Sequence, residues 1–108
     1  MSKVSFRCTM QEGQIDEATR ERLADGLRQV TKGVLGESPD DIPVSFSDIP
    51  SGFGFRGGEP STTSLVNGSI VGGVTQDVRE ELMRGICDMW MEISGCTVDE
   101  LVVSARDA

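Results

Sequence analysis

Residues 4–48 of this chain lie over residues 63–107 without a gap at a constant offset of 59, and 11 of the 45 paired positions are identical, against roughly 3 expected from average residue frequencies. A unit of that length is too short to bury a sufficient core by itself, so the two copies must pack on each other or on neighbouring subunits. The 108 residues therefore read as a single domain, 1–108, with an internal repeat of 4–48 and 63–107 joined by a glycine-rich linker, 49–62.

Within the first copy, Val4, Phe6, Cys8 and Met10 alternate with Ser5, Arg7 and Thr9, the period of a strand with one buried face. Asp16 is placed to cap a helix whose apolar stripe is Leu23, Leu27, Val30 and Val34, and Gly36 supplies its left-handed stop. Ile42 to Ser47 alternates again, with Pro43 at the beginning of the strand or facing an edge because it cannot donate to a ladder. The second copy repeats the plan with a cap at Thr75, a stripe of Val78, Leu82, Ile86, Met89 and Ile93, a stop at Gly95 and a closing strand from Leu101.

A helix between two neighbouring strands is the crossover that makes them parallel. The expected fold is α/β, a two-layer sandwich of two tandem β-α-β units, with a four-stranded mixed sheet and two helices on one face. Such a sheet leaves its other face bare, and a bare apolar face is an aggregation hazard, so a closed homo-oligomer with sheets meeting at its centre is expected. The second helix also carries Met83, Cys87, Trp90 and Ser94 on a further face; either another surface covers it, or Trp90 completes the intramolecular core.

Ten Lys plus Arg against 18 Asp plus Glu give a net charge of −8, which argues against nucleic acid or an anionic membrane as partner. No apolar run approaches a membrane span or a signal-peptide core, so a cytoplasmic location is the default expectation. Cys8, Cys87 and Cys96 match neither a metal clip nor a disulfide framework and read as buried free thiols, with a redox role the alternative. With no His in the chain, the commonest general base and transition-metal ligand are missing, no metal or cofactor is expected, and catalysis would have to use carboxylates, lysine, arginine or a terminal amine.

The joint contains Gly52, Gly54 and Gly57 in the order G-x-G-x-x-G, but Glu59-Pro60 and a strand follow where a dinucleotide loop needs a helix. A turn or short hairpin with glycines at positive φ is the reading, leaving Phe53, Phe55 and Arg56 as either a packed flap or the wall of a ligand pocket.

A strand ending in Gln11-Glu12-Gly13, a helix, a second strand and then Ser51-Gly52-Phe53-Gly54-Phe55-Arg56-Gly57-Gly58-Glu59 resembles the tautomerase superfamily. The first half is similar to the short 4-oxalocrotonate tautomerase type, and the doubled arrangement to the long macrophage migration inhibitory factor, malonate semialdehyde decarboxylase and cis-chloroacrylate dehalogenase types. The resemblance implies a homotrimer and proton transfer on enols and 2-oxo acids by an N-terminal proline amine. In this sequence that position falls on Val4, with Thr63 as its counterpart, and the positions of the family's substrate arginines fall on Gln14, Gly73 and Pro43.

A replacement amine could come from Ser2 if Met1 is removed, or from Lys3, either as an imine-forming or desolvated base or simply as a solvated lysine. Arg7, Arg56 and Arg106 are the arginines outside the helices that could hold a carboxylate, Arg56 foremost because glycines flank it. Two functions follow from the resemblance: an atypical tautomerase-like, isomerase-like or lyase-like enzyme acting on a small 2-oxo or enol carboxylate, or a non-catalytic homotrimer that binds a small molecule or a protein. The expected site is Lys3 as catalytic amine with Arg56, Phe53, Phe55, Arg7 and Arg106 around the substrate.

Overall fold

The computed structural model describes residues 3–108. Strand β1 (Val4–Gln11) is followed by helix α1 (Glu17–Leu35), β2 (Val44–Ile49), a small hairpin of β3 (Phe55–Arg56) and β4 (Glu59–Pro60), then β5 (Ser64–Ile70), α2 (Gln76–Ser94) and β6 (Leu101–Asp107). The main sheet has the order β2-β1-β5-β6. Its outer pairs are parallel and its central pair, β1 with β5, is antiparallel, so the sheet is mixed and the two β-α-β units meet back to back at its middle.

The helix ends form where the capping chemistry stands. Asp16 Oδ1 accepts from the Thr19 amide at 2.8 Å, and Thr75 Oγ1 accepts from the Val78 amide at 3.3 Å. Gly36 and Gly95, at φ of 72° and 77°, donate back to Lys32 O and Met91 O, each at 2.9 Å; any residue with a Cβ would be strained there. Leu23 and Leu27 of α1 and Leu82, Ile86 and Trp90 of α2 pack down on Val4, Phe6, Cys8, Met10, Val66 and Ile70 of the sheet. Each large apolar side chain removed from water there contributes on the order of 2 kcal/mol.

The identities between the copies have physical jobs. Arg20 pairs with Asp48 and donates to Ile15 O, while Arg79 pairs with Asp107 at 2.8 Å and donates to Val74 O at 3.1 Å. Each arginine thus ties the first turn of a helix to the end of its closing strand. Gly26 and Gly85 sit where the helices cross: a Cβ on Gly26 would run into Met89 Sδ, and one on Gly85 would meet Val30 Cγ1 at 2.9 Å.

The offset of 59 holds for the helices, their caps and the closing strands, but not for the opening strands. Cys8 stands beside Phe46, and the residue beside Ala105, the counterpart of Phe46, is Gly68; the spacing is 60. Burial agrees, since Val4, Phe6, Cys8 and Met10 face the helices as do Ser64, Val66, Gly68 and Ile70. One extra residue between Met10 and Gly13 absorbs the slip. The counterpart of Val4 is consequently Ser64, and Thr63 is the counterpart of Lys3.

The structure decides one open alternative about the faces and changes one expectation. Trp90 is completely buried and belongs to the intramolecular core. The uncovered sheet face is largely polar rather than apolar: Ser5, Arg7 and Thr9 of β1, Ser45 and Ser47 of β2, Asn67 and Ser69 of β5, and Ser104 and Arg106 of β6 share it by strand alternation. Its apolar residues, Ile49, Leu65 and Val102, gather at one end. Among the described residues no helix is long and apolar enough to cross a membrane.

Candidate functional site

The joint folds into a tight hairpin because Gly57 and Gly58 take φ of 59° and 89°, the pair of positive values that a two-residue turn between twisted strands requires. Phe55 pairs with Pro60 and Arg56 with Glu59, and Ser61 N continues the contact by donating to Gly54 O at 2.7 Å. No helix begins there, so the glycine pattern serves the hairpin and not a nucleotide loop.

The hairpin lies over the end of the uncovered sheet face. Gly54 sits so near the Gln11 side chain that an added Cβ would come within 2.6 Å of its Nε2. Between the hairpin and the sheet is a hollow of about 270 Å³, walled by Phe55, Ile49, Leu65 and Val102 and edged by Arg56, Gln11 and Thr63. Gln11 and Thr63 are both about 8% exposed. The Thr63 amide is satisfied by Ser61 Oγ at 3.1 Å, yet its own buried hydroxyl has no partner.

The Arg56 guanidinium makes no ion pair or hydrogen bond among the described residues. The acid whose field it touches, Glu100, is already committed. Its carboxylate accepts from the Thr97 amide at 2.9 Å, the Thr62 hydroxyl at 2.9 Å and the Thr97 hydroxyl at 3.0 Å. Those bonds, the Thr97 amide first, hold it below the usual carboxylate range, and the Arg56 charge is the weakest contributor. No carboxylate lines the hollow.

The expected site residues fall into three places. Phe55 and Arg56 stand together at the hollow; Phe53, 79% exposed, belongs to the preceding turn and does not line it. Arg7 and Arg106 share the uncovered face, two strands apart, where Arg7 stands opposite Asn67 and Arg106 opposite Ser69. Between them lies a shallow depression of about 660 Å³ lined in part by Asn67, whose Oδ1 accepts from Ser104 Oγ at 2.7 Å.

Lys3 lies at the other end of the sheet. Its carbonyl accepts from Val71 N at 2.8 Å, its amide donates to Glu37 Oε1 at 3.1 Å, and its residue is exposed. The length of β1, about 25 Å at the usual strand rise, separates it from Arg56, so one chain cannot bring these two into a single pocket. Met1 and Ser2, the other source of an amine, lie outside the described residues. No group of three or more Cys, Asp or Glu able to hold a metal is gathered among the described residues.

Gln11 and Thr63 escaped attention in the sequence because nothing local distinguishes them from solvent-facing strand residues. Parity along β1 and β5 places both on the uncovered face, and only the joint folding back over that end buries them.

Among solved structures, native Ps01740 matches with a TM-score of 0.90 and 25% identity over 96% of this chain and 93% of that one. A fused 4-OT described as a symmetric trimer matches at 0.86 and 16% identity over 96% and 85%. A member of the cis-3-chloroacrylic acid dehalogenase family matches at 0.88 and 19% over 96% and 74%. No protein-family model and no curated protein matches the chain.

Proposed function

We propose that this chain, which has the fold of the tautomerase superfamily, is a homotrimeric protein that holds a small 2-oxo or enol carboxylate beneath its glycine-rich joint, with Arg56 as the clamp on the carboxylate. The observation that carries this reading is an arginine without an ion pair standing over a hollow that contains no acid. A guanidinium in that setting matches a carboxylate in charge and in the geometry of its two parallel donors. The trimer is supported by the trimeric fused 4-OT among the similar structures.

Binding without keto–enol turnover is the activity the geometry favours. By the sequence resemblance the family's proline would fall on Val4, and Lys3 beside it is exposed, whereas an amine that works as a base near neutral pH needs desolvation. The enzymatic reading draws on one observation, the position of Lys3 directly before Val4, and it needs a neighbouring copy to cover that lysine and bring up its own joint.

The two readings separate in one experiment on protein with a verified N-terminus. Phenylenolpyruvate and 2-hydroxymuconate are followed for ketonisation while binding of the corresponding 2-oxo acids is measured by calorimetry. Binding that Arg56→Ala abolishes, with no rate above solvent, is the expected result. Turnover that Lys3→Ala abolishes would establish the enzyme instead, and absence of any binding would remove the proposal.

A further inference from the structure

We infer that Arg7 and Arg106, with Asn67 between them, form a site on the uncovered sheet face for a doubly charged phosphate group, free or carried on a small ester. This goes beyond the reading of the joint and does not rest on it. The pairing register lays the site out. Arg7 stands beside Asn67, which stands beside Ser104; in the next row Ser5 stands beside Ser69, which stands beside Arg106. The two arginines thus take opposite corners of a grid cut from β1, β5 and β6. At ordinary strand spacing and rise their Cα atoms are about 12 Å apart, a span that two arginine side chains close from its two ends.

Every group that the grid leaves uncommitted can donate. Neither guanidinium makes an ion pair or a hydrogen bond among the described residues. Asn67 Oδ1 is taken by Ser104 Oγ, which leaves the Asn67 amide N–H groups without an acceptor, and the Ser5 and Ser69 hydroxyls have no partner among the described residues. Guanidinium forks and amide N–H groups are the donors that meet phosphate oxygens, and a phosphate monoester carries close to two negative charges above about pH 7.

Charge selects the ligand. The chain has 18 acids against 10 bases, yet the carboxylates at the rim of this depression do not neutralise its arginines. Asp107 is held by Arg79 at 2.8 Å on the helix side, and neither it nor the Ala108 terminus pairs with Arg7 or Arg106. Two cations without a counter-charge match a dianion. A single carboxylate would leave one of them unmatched, so this face and the joint sort their ligands by charge. The site belongs to one chain; in a trimer closed over this face it would recur three times around the axis.

The test is calorimetric titration of the full-length protein, freed of phosphate, with inorganic phosphate, glycerol 3-phosphate and acetate at fixed ionic strength and about pH 8, where the phosphates are dianions. Wild type is compared with Arg7→Gln, Arg106→Gln, the double variant and Arg22→Gln, which removes the same charge from an exposed position of α1. Both Arg7 and Arg106 are exposed, so their replacement removes no core contact, and melting curves check that each variant is folded.

The phosphates are expected to bind at least about tenfold more tightly than acetate, and each single variant of the pair to lose about tenfold, the scale of one charge-assisted contact. Arg22→Gln should bind as wild type does. Tighter binding of the ester identifies an organic phosphate as the occupant, tighter binding of inorganic phosphate identifies the free anion, and equal affinity confines recognition to the phosphate group. Phosphate no tighter than acetate, binding kept by the double variant, or an equal loss in Arg22→Gln overturns the inference. None of these outcomes touches 2-oxo acid binding at the joint, so the two readings fail separately.

Discussion

Burial decides the chemistry of Cys8. Enclosed by β5 and both helices, its thiol is pushed up to about 12 because the thiolate would lose its hydration with no cation to replace it. Iodoacetamide at pH 8 should therefore spare Cys8 in the folded protein while reaching the half-buried Cys87 and Cys96, and should label all three in denaturant; native labelling of Cys8 at the rate of the others would contradict its placement. Asp107 shows the opposite shift. The hydrogen bond from Arg79 first, and its charge, hold the carboxyl below the ordinary range, and Asp16 and Glu100 are lowered by their capping bonds. A carboxylate whose folded value lies below its unfolded one adds stability above the unfolded value of about 4, and that stability is lost as pH falls through the depressed folded value. Acid titration of the folded protein is expected to show this loss below about pH 4, and Asp107→Asn should make the curve shallower in that window. An unchanged slope in the variant would deny the Arg79 pair a role.

Among the elements, the helix crossing gives the cleanest contrast. Gly85 has Val30 Cγ1 at 2.9 Å from where its Cβ would stand, while Gly33 on the outer side of α1 has nothing within 4 Å. Alanine in a helix interior gains about 1 kcal/mol over glycine, but overpacking costs about 1–3 kcal/mol, and a β-branched valine has little freedom to step aside. Gly33→Ala should raise the denaturant midpoint by up to about 1 kcal/mol of stability, and Gly85→Ala should lower it by about 1 kcal/mol net; the reverse order would mean the helices cross elsewhere. At this scale most of the fold was legible. Alternation, caps and apolar stripes are local, and they located six main elements and their partners. The spacing of 60 between the opening strands was not legible, because Ser5 and Ser64 are identical at the constant offset although β1 and β5 make Ser64 the counterpart of Val4. Strand pairing and turn length decide that register, and neither leaves a periodic trace.

For the whole molecule, the uncovered sheet face is the unexpected surface. In a chain of net charge −8, it holds Arg7 and Arg106, no acid, and a run of hydroxyls and Asn67. The argument for assembly from a bare apolar face therefore does not hold; a trimer would close over polar and cationic groups, with the apolar patch confined to the joint end. Sedimentation equilibrium is expected to give three times the 11.6 kDa of one chain, weakening when the charge of Arg7 or Arg106 is reversed, and a mass of one chain would remove the trimer. The candidate site was legible in part. Arg56 and Phe55 declared themselves by residue type beside glycines, whereas Gln11 and Thr63 acquire their burial only when the joint returns to a strand end more than forty residues back in the chain, and the distance between Lys3 and Arg56 follows only from the direction of β1. The most direct measurement is a heteronuclear NMR titration with phenylpyruvate. Shifts concentrated on Gln11, Arg56, Thr63 and Phe55, with Lys3, Arg7 and Arg106 unmoved, are the result predicted; shifts centred on Lys3 and Val4 with a silent joint would contradict it.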